Sequence, residues 1–175
     1  MEIYKFIKLP DIITLVSVIF AMLSIFFSLQ RDFVLASLLI LFSVAADFLD
    51  GTVARFIKRK GDFGKQMDSL ADVIAFGVAP ALFGYMLLLH TTFNKIILIF
   101  FVCAGLLRLA RFNISPPSDY FEGIPITSAG IIIPLSYLLN IPINLLVYIY
   151  LVLGILMISS FKVRKFKATK QKKRT

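Results

Sequence analysis

The chain has 175 residues, 59% of them hydrophobic, and a formal net charge of +9. An ordinary soluble domain is about 45–50% apolar, so this composition is typical of a protein embedded in a bilayer. The length suits one domain of about six membrane spans at about 20 residues each, which excludes a separate soluble domain. Much of the positive charge lies between Lys162 and Arg174, which favours a tail facing anionic lipid over a nucleic-acid-binding surface.

Six apolar segments follow one another along the chain, separated by short polar stretches. They are too long and too uniformly apolar for the alternating strands of a barrel, whereas helices satisfy their own backbone groups in lipid. The pattern therefore predicts an all-α integral membrane protein, with a short interfacial helix at residues 1–9 ahead of the spans. The six predicted transmembrane helices cover residues 12–29, 33–57, 64–89, 93–110, 124–139 and 143–161.

Lysine and arginine are distributed unequally between the two sides of these spans. One side collects the N-terminal lysines, residues 55–65, Arg108, Arg111 and the tail, whereas the other has Arg31, His90 and Lys95. The positive-inside rule then predicts that both termini are cytoplasmic. We expect a membrane domain at residues 1–161 and a basic cytoplasmic tail at residues 162–175.

Four aspartates interrupt the second and third predicted spans near their cytoplasmic ends: Asp47, Asp50, Asp68 and Asp72. A charged group near the bilayer centre costs at least about 2.5–3.5 kcal/mol, so such residues indicate function, although capping of helix ends is an alternative. The first two are three residues apart and the last two are four apart, so each pair lies on one helix face. Because a short basic segment turns the chain back between them, we expect the four carboxylates to converge.

Four carboxylates in a partly dry site would repel one another unless a cation neutralises them. Oxygen ligands without His or Cys favour a hard divalent ion, Mg²⁺ first, with Mn²⁺ or Ca²⁺ as substitutes. Two ions sharing Asp68 would suit displacement at phosphorus, for which paired ions about 3.5–4 Å apart are known. The pattern therefore predicts a metal site for phosphate chemistry.

Small residues accompany the aspartates on both helices. Gly51, Ala54 and Gly64 leave room for a ligand to approach the backbone, or for close packing of the two helices. Arg55 adds a planar guanidinium suited to phosphate oxygens. These positions are candidates for contacts with a phosphate-bearing ligand.

Residues 47–72 read D-F-L-D-G-T-V-A-R-F-I-K-R-K-G-D-F-G-K-Q-M-D-S-L-A-D. This segment resembles the signature D-x2-D-G-x2-A-R-x8-G-x3-D-x3-D of the CDP-alcohol phosphotransferases at every fixed position, and the six-span layout is similar to that family. The resemblance implies that all four aspartates bind two divalent ions and that Asp72 is also the general base. It further implies contacts with the CDP moiety from Gly51, Ala54, Arg55 and Gly64.

Residues 9–15, L-P-D-I-I-T-L, resemble a family segment that is usually P-N-x-x-T and contacts the nucleotide. Asp11 replaces the asparagine and lacks its amide donor. The resemblance therefore implies a nucleotide contact from Thr14 rather than from Asp11.

Residues 69–81, 108–113 and 120–130 resemble the phosphatidylserine synthase branch of the family. That branch implies CDP-diacylglycerol or CDP-archaeol as the lipid donor, L-serine as the acceptor, and release of CMP at the cytoplasmic face. The product would be phosphatidylserine or its archaeal analogue, and family likeness also implies a homodimer.

Serine would bring a carboxylate and an ammonium into the site. Arg108 and Arg111 are three residues apart and are expected to face the serine carboxylate or the donor phosphate. A purely topogenic role for these arginines is the alternative. Asn113 and Ser128 are further candidates for polar contacts with serine.

Two other functions are compatible with parts of this pattern. The same transfer reaction could use glycerol 3-phosphate or inositol phosphate as the acceptor. Their phosphate groups should require a larger cationic pocket than Arg108 and Arg111 provide. A cation transporter would also use intramembrane carboxylates. It would need them near mid-membrane with a path to the outer side, whereas all four aspartates lie toward one face.

Overall fold

The computed structural model describes residues 9–56, 62–87, 90–114, 120–160 and 162–164. The predicted interfacial helix therefore lies, apart from Leu9, outside the described residues, as does the tail beyond Arg164. Within the described ranges the elements in chain order are α1 Leu9–Leu29, α2 Phe33–Phe56, α3 Asp62–Asp72, a π-helical turn Val73–Val78, α4 Ala79–Met86, α5 Thr92–Ile114, β1 Tyr120–Glu122, α6 Thr127–Leu138, α7 Ile143–Ile158 and β2 Lys162–Arg164.

The helical membrane architecture is confirmed. In the described part of the chain, four helical segments are long and apolar enough to cross a membrane: Pro10–Leu29, Phe33–Val53, Phe63–Met86 and Thr92–Ile114. The last two helices, α6 and α7, are apolar but have 12 and 16 residues, fewer than the roughly 20 that a perpendicular span needs. Both are shorter than predicted mainly at their outer ends: α6 begins three residues later than expected, after Pro125, and α7 ends three residues earlier.

The first two helices form an antiparallel hairpin. Arg31 adopts a left-handed conformation with φ 63° at the turn, and the Asp32 carboxylate caps α2 by accepting a hydrogen bond from the Leu35 amide at 3.1 Å. Midway along the hairpin, the hydroxyls of Ser17 and Ser43 lie 2.8 Å apart and both are buried. These contacts fix the register of α1 against α2, which carries the first pair of aspartates.

The third predicted span is a continuous helix with a π turn inside it. The Ala79 amide donates to the Ile74 carbonyl, five residues earlier, instead of four as in an α-helix. The turn ends two residues before Pro80, which has no amide hydrogen to continue the α-helical ladder. The π turn therefore separates α3, with Asp68 and Asp72, from the apolar α4.

The interior beyond the π turn is aromatic. Tyr150 of α7 is fully buried and donates a 2.6 Å hydrogen bond to the Pro80 carbonyl. Gly84 permits this approach, since a Cβ there would lie 2.6 Å from the Tyr150 hydroxyl oxygen. Large apolar side chains such as Ile19 and Phe42 are exposed on the outer surface of the bundle, as expected for a protein surrounded by lipid.

One short antiparallel ribbon accompanies the helices, in which β1 and β2 pair with Tyr120 opposite Arg164. Each strand has only three residues, which is too short to be recognised in the sequence from an alternation of apolar and polar residues. Gly123 follows β1 with φ 70°, and a Cβ there would come within 2.7 Å of the Met157 carbonyl oxygen. The α5–α6 connection is thus held against the C-terminus of α7.

Candidate active site

Three of the predicted metal ligands come together. Asp47 and Asp50 of α2 and Asp68 of α3 each offer a carboxylate oxygen within 4.8 Å of the others. Asp50 is buried, at 4% exposure, and the other two are partly buried. The convergence expected from helical spacing is confirmed for these three residues.

Asp72 lies one helical turn beyond Asp68 and is not part of that three-carboxylate cluster. It is partly buried and interacts electrostatically with all three aspartates of the cluster and with Arg108. Its position at the end of α3, immediately before the π turn, sets it at the edge of the cluster toward α5. Its roles as fourth ligand and as base remain predictions.

The first helix contributes two buried polar residues, Asp11 and Thr14, whose link to the predicted metal ligands the sequence did not indicate. The Thr14 hydroxyl donates to Oδ2 of Asp50 at 2.6 Å. One turn earlier, Asp11 is buried at 6% exposure, and a Cβ on Gly64 would lie 2.9 Å from its Oδ1. Gly64 therefore permits close approach of α3 to Asp11. In the sequence, the three-residue spacing of Asp11 and Thr14 indicates that both lie on one face of α1.

The other side of the site is closed by contacts between α3 and the end of α5. The Asn113 side-chain amide donates to the Ser69 hydroxyl at 2.9 Å, and the Lys65 ammonium donates to the Asn113 carbonyl at 3.0 Å. These bonds join the helix that carries Asp68 to the helix that carries Arg108. The serine contact predicted for Asn113 remains a prediction.

Arg108 is a buried cation at the site, with 9% exposure. Its guanidinium lies over the Phe112 ring at 5.7 Å from the centroid and interacts electrostatically with Asp72. Its buried Nε has no hydrogen-bond partner among the described residues. A buried N–H without a hydrogen bond costs free energy unless a ligand or water accepts from it. Arg108 is therefore suited to binding an anion beside Asp72.

Arg111 has a structural role that the sequence did not indicate. Its guanidinium donates to the carbonyls of Ile158, Met157 and Ser159 at 3.2–3.4 Å. These lie at the C-terminus of α7, where the last carbonyls of a helix have no partner within the helix. A cation is also favourable at the negative end of a helix. Arg111 thus ties α5 to α7, while its predicted contact with serine stays a prediction.

The remaining predicted site residues are distributed around the cluster. Gly51 is partly buried directly after Asp50, and Ser128 is partly buried in the first turn of α6. The side chains of Ala54 and Arg55 lie outside the part of the chain that the structure describes. Their expected contacts with CDP stay predictions.

The donor set of the cluster is compatible with a metal ion. Carboxylates alone, without nitrogen or sulfur ligands, are the ligands preferred by hard divalent cations. Three of them would repel one another without a cation. With the Arg108 guanidinium nearby, the site combines the groups needed to hold and polarise a phosphate ester.

Comparison with known proteins identifies the family of this chain. Residues 7–162 match the family model described as CDP-alcohol phosphatidyltransferase. The chain therefore belongs to the CDP-alcohol phosphatidyltransferase family.

Several curated relatives cover most of the chain. It is 38% identical over 175 residues to the CDP-diacylglycerol–serine O-phosphatidyltransferase of Helicobacter pylori, covering 92% of this chain and 73% of that protein. The protein of the same name from Bacillus subtilis is 37% identical over 164 residues, 91% of each chain. The archaetidylserine synthase of Methanothermobacter thermautotrophicus is 38% identical over 166 residues, 92% of this chain and 71% of that protein.

Proposed function

We propose that this protein transfers the phosphatidyl or archaetidyl group of a CDP-activated lipid to the hydroxyl of L-serine, releasing CMP. The observation that carries the proposal is the Asp47–Asp50–Asp68 cluster with Asp72 and Arg108 beside it. The serine acceptor is supported by the names of relatives that cover nine-tenths of the chain. The donor would be CDP-diacylglycerol or CDP-archaeol.

The carboxylates would hold two divalent cations, Mg²⁺ or Mn²⁺ with Ca²⁺ as a substitute, through Asp47, Asp50 and Asp68 with Asp72 as the fourth ligand. Such ions would supply electrostatic stabilisation of the donor pyrophosphate and of the charge that develops on CMP. The Thr14 hydroxyl orients the Asp50 carboxylate by its 2.6 Å bond, as hydrogen bonds to metal ligands commonly do. Gly51, Ala54, Arg55, Gly64 and Thr14 remain the proposed contacts for the CDP-lipid.

Asp72 would act as the general base. It accepts the proton of the serine hydroxyl, whose oxygen attacks the lipid-side phosphorus in line. A new phosphorus–oxygen bond to serine forms while the bond from that phosphorus to the bridging oxygen breaks, so CMP leaves with the bridging oxygen. Asp72 suits this role because it lies at the edge of the acidic cluster, toward Arg108.

Arg108 would bind the serine carboxylate, which would satisfy the buried Nε. A guanidinium pairs with a carboxylate in a fixed, bidentate geometry, and so would set the serine hydroxyl beside Asp72. Arg111, whose guanidinium bonds to three α7 carbonyls, would position α5 instead. Asn113 and Ser128 would contribute further polar contacts.

Six helices would cross the membrane, with α6 and α7 completing the bundle and with the site and both termini on the cytoplasmic side. Lys65, Arg108 and Arg111 lie at the site end of their helices, whereas Arg31 and Lys95 lie at the opposite end, which supports this orientation. We further propose a membrane domain at residues 1–161, a basic tail at residues 162–175, and a homodimeric assembly.

The proposed reaction is tested by incubating purified protein with CDP-diacylglycerol and Mg²⁺ or Mn²⁺, and supplying serine, glycerol 3-phosphate or inositol phosphate in parallel. CMP release should be fastest with serine and should stop when EDTA removes the metal. Faster release with either phosphorylated alcohol would contradict the serine assignment. Full activity in EDTA would contradict the metal assignment.

A further inference from the structure

A second feature of the surface lies between α4 and α5, away from the aspartates. It is an open groove of about 540 Å³, within the roughly 300–1,000 Å³ typical of ligand sites. One wall carries Val78, Leu82 and Tyr85, and the other carries Lys95, Ile99 and Val102. The spacing on each wall places these residues on one face of each helix.

The groove has one charged end and one apolar end. Lys95 lies in the first turn of α5, with its ammonium 6.0 Å from the Tyr85 ring centroid. The Tyr85 ring in turn contacts the exposed His90 ring at 4.8 Å between centroids. A cluster of lysine, tyrosine and histidine is typical of the boundary between hydrocarbon and headgroups. From there the groove runs past apolar side chains toward Val78 and Cys103, the residues nearest the membrane interior.

We propose that this groove binds one anionic phospholipid, with an acyl chain along the groove and the phosphate at the Lys95 ammonium. Charge complementarity supports this occupant, because Lys95 is the one charged residue among those that line the groove and none of the lining residues is acidic. The apolar walls are open toward the surrounding lipid, with Ile99 64% exposed. A lipid is therefore able to enter sideways.

The lipid bound here differs from the CDP-activated donor. Lys95 and Arg108 are thirteen residues apart on one helix, which corresponds to about 20 Å along the axis. A headgroup at the aspartates is therefore out of reach of Lys95. The bound phospholipid would come from the leaflet opposite the catalytic site, and the inference does not depend on the reaction proposed above.

The test is native mass spectrometry of the full chain released from nanodiscs that contain equal amounts of phosphatidylglycerol and phosphatidylcholine. We expect one retained phosphatidylglycerol per chain. Lys95→Gln should reduce the preference for phosphatidylglycerol about fivefold, the effect of one cation near a lipid surface, while Lys95→Arg should retain it. Circular dichroism of each variant verifies folding.

A second pair of variants tests the apolar part. Cys103 lines the groove and is exposed, so Cys103→Phe should reduce retention of both lipids, whereas Ile96→Phe, at an outward-facing position on the same helix, should not. Unchanged lipid preference in Lys95→Gln, or unchanged retention in Cys103→Phe, would overturn the proposal. So would a wild-type dimer that Cys103→Phe converts to monomers, since a second chain would then occupy the groove.

Discussion

The Thr14 hydroxyl lies 2.6 Å from Oδ2 of Asp50 and donates to it, linking the start of α1 to the carboxylate cluster on α2. Both residues are buried, at 5% and 4% exposure. The bond therefore fixes the orientation of a carboxylate in the proposed metal site.

Replacing Thr14 by valine should weaken metal binding. Valine keeps the shape but removes the donor to Asp50, and losing a partner of a metal ligand typically costs about 10–100-fold in metal affinity or activity. The measurement is CMP release as a function of Mn²⁺ concentration. Thr14→Ser keeps the hydroxyl and should stay near wild type; an unchanged metal requirement in Thr14→Val would show that the bond does not support the site.

Asp72→Asn should separate binding from turnover. The amide is unable to accept the serine proton, so we expect CMP release to fall by about 10²–10⁴-fold, the usual contribution of a general base. Binding of CDP-diacylglycerol in the presence of metal, measured by titration, should change little. An Asp72→Asn protein with near-normal turnover would refute the base role.

Arg108→Gln and Arg111→Gln should have different consequences. Arg108→Gln should raise the KM for serine much more than the KM for CDP-diacylglycerol, because it removes the proposed carboxylate partner. Arg111→Gln should mainly lower the thermal unfolding temperature, since hydrogen bonds from a charged group contribute about 1.5–3 kcal/mol when buried and less at a partly exposed residue such as this one. Equal effects of Arg108→Gln on both KM values would contradict the serine contact.

Gly64→Ala should disturb the junction of α1 and α3. The added methyl would lie 2.9 Å from the Asp11 carboxylate, and such crowding typically costs about 1–3 kcal/mol. Thermal unfolding of Gly64→Ala should show this loss, and Gly64→Ala combined with Asp11→Ala should recover part of it. Gly77→Ala is the matched control, because its methyl would lie at an ordinary contact distance of 3.8 Å from Ile126. A Gly64→Ala protein as stable as this control would show that Gly64 and the Asp11 carboxylate are not tightly packed.

The helices and the carboxylate cluster were accessible from the sequence because both depend on local spacing. Long apolar segments identify helices in lipid, and the three- and four-residue intervals of the aspartates identify shared faces that a helical hairpin brings together. The bounds of the first two helices differ from the predicted ones by at most three residues at either end.

The contacts that organise the site were not accessible in the same way. The bonds from Arg111 to the α7 carbonyls and from Thr14 to Asp50 join residues 36–48 positions apart, so local periodicity does not encode them. The π turn lies among α1, α5 and α6, so its surroundings come from segments distant in the sequence. Arg108 and Arg111 look equivalent by spacing. Arg108 is buried with an Nε that has no partner among the described residues, whereas Arg111 bonds to a helix end.

The most direct measurement of the proposed function is the transfer of radiolabelled serine into lipid by purified protein. With CDP-diacylglycerol and Mn²⁺ present, we expect label in phosphatidylserine in equal amount to the CMP released, and none when the donor is omitted. Release of CMP without labelled lipid, or label that appears without the CDP-lipid, would contradict the assignment of this protein as a serine phosphatidyltransferase.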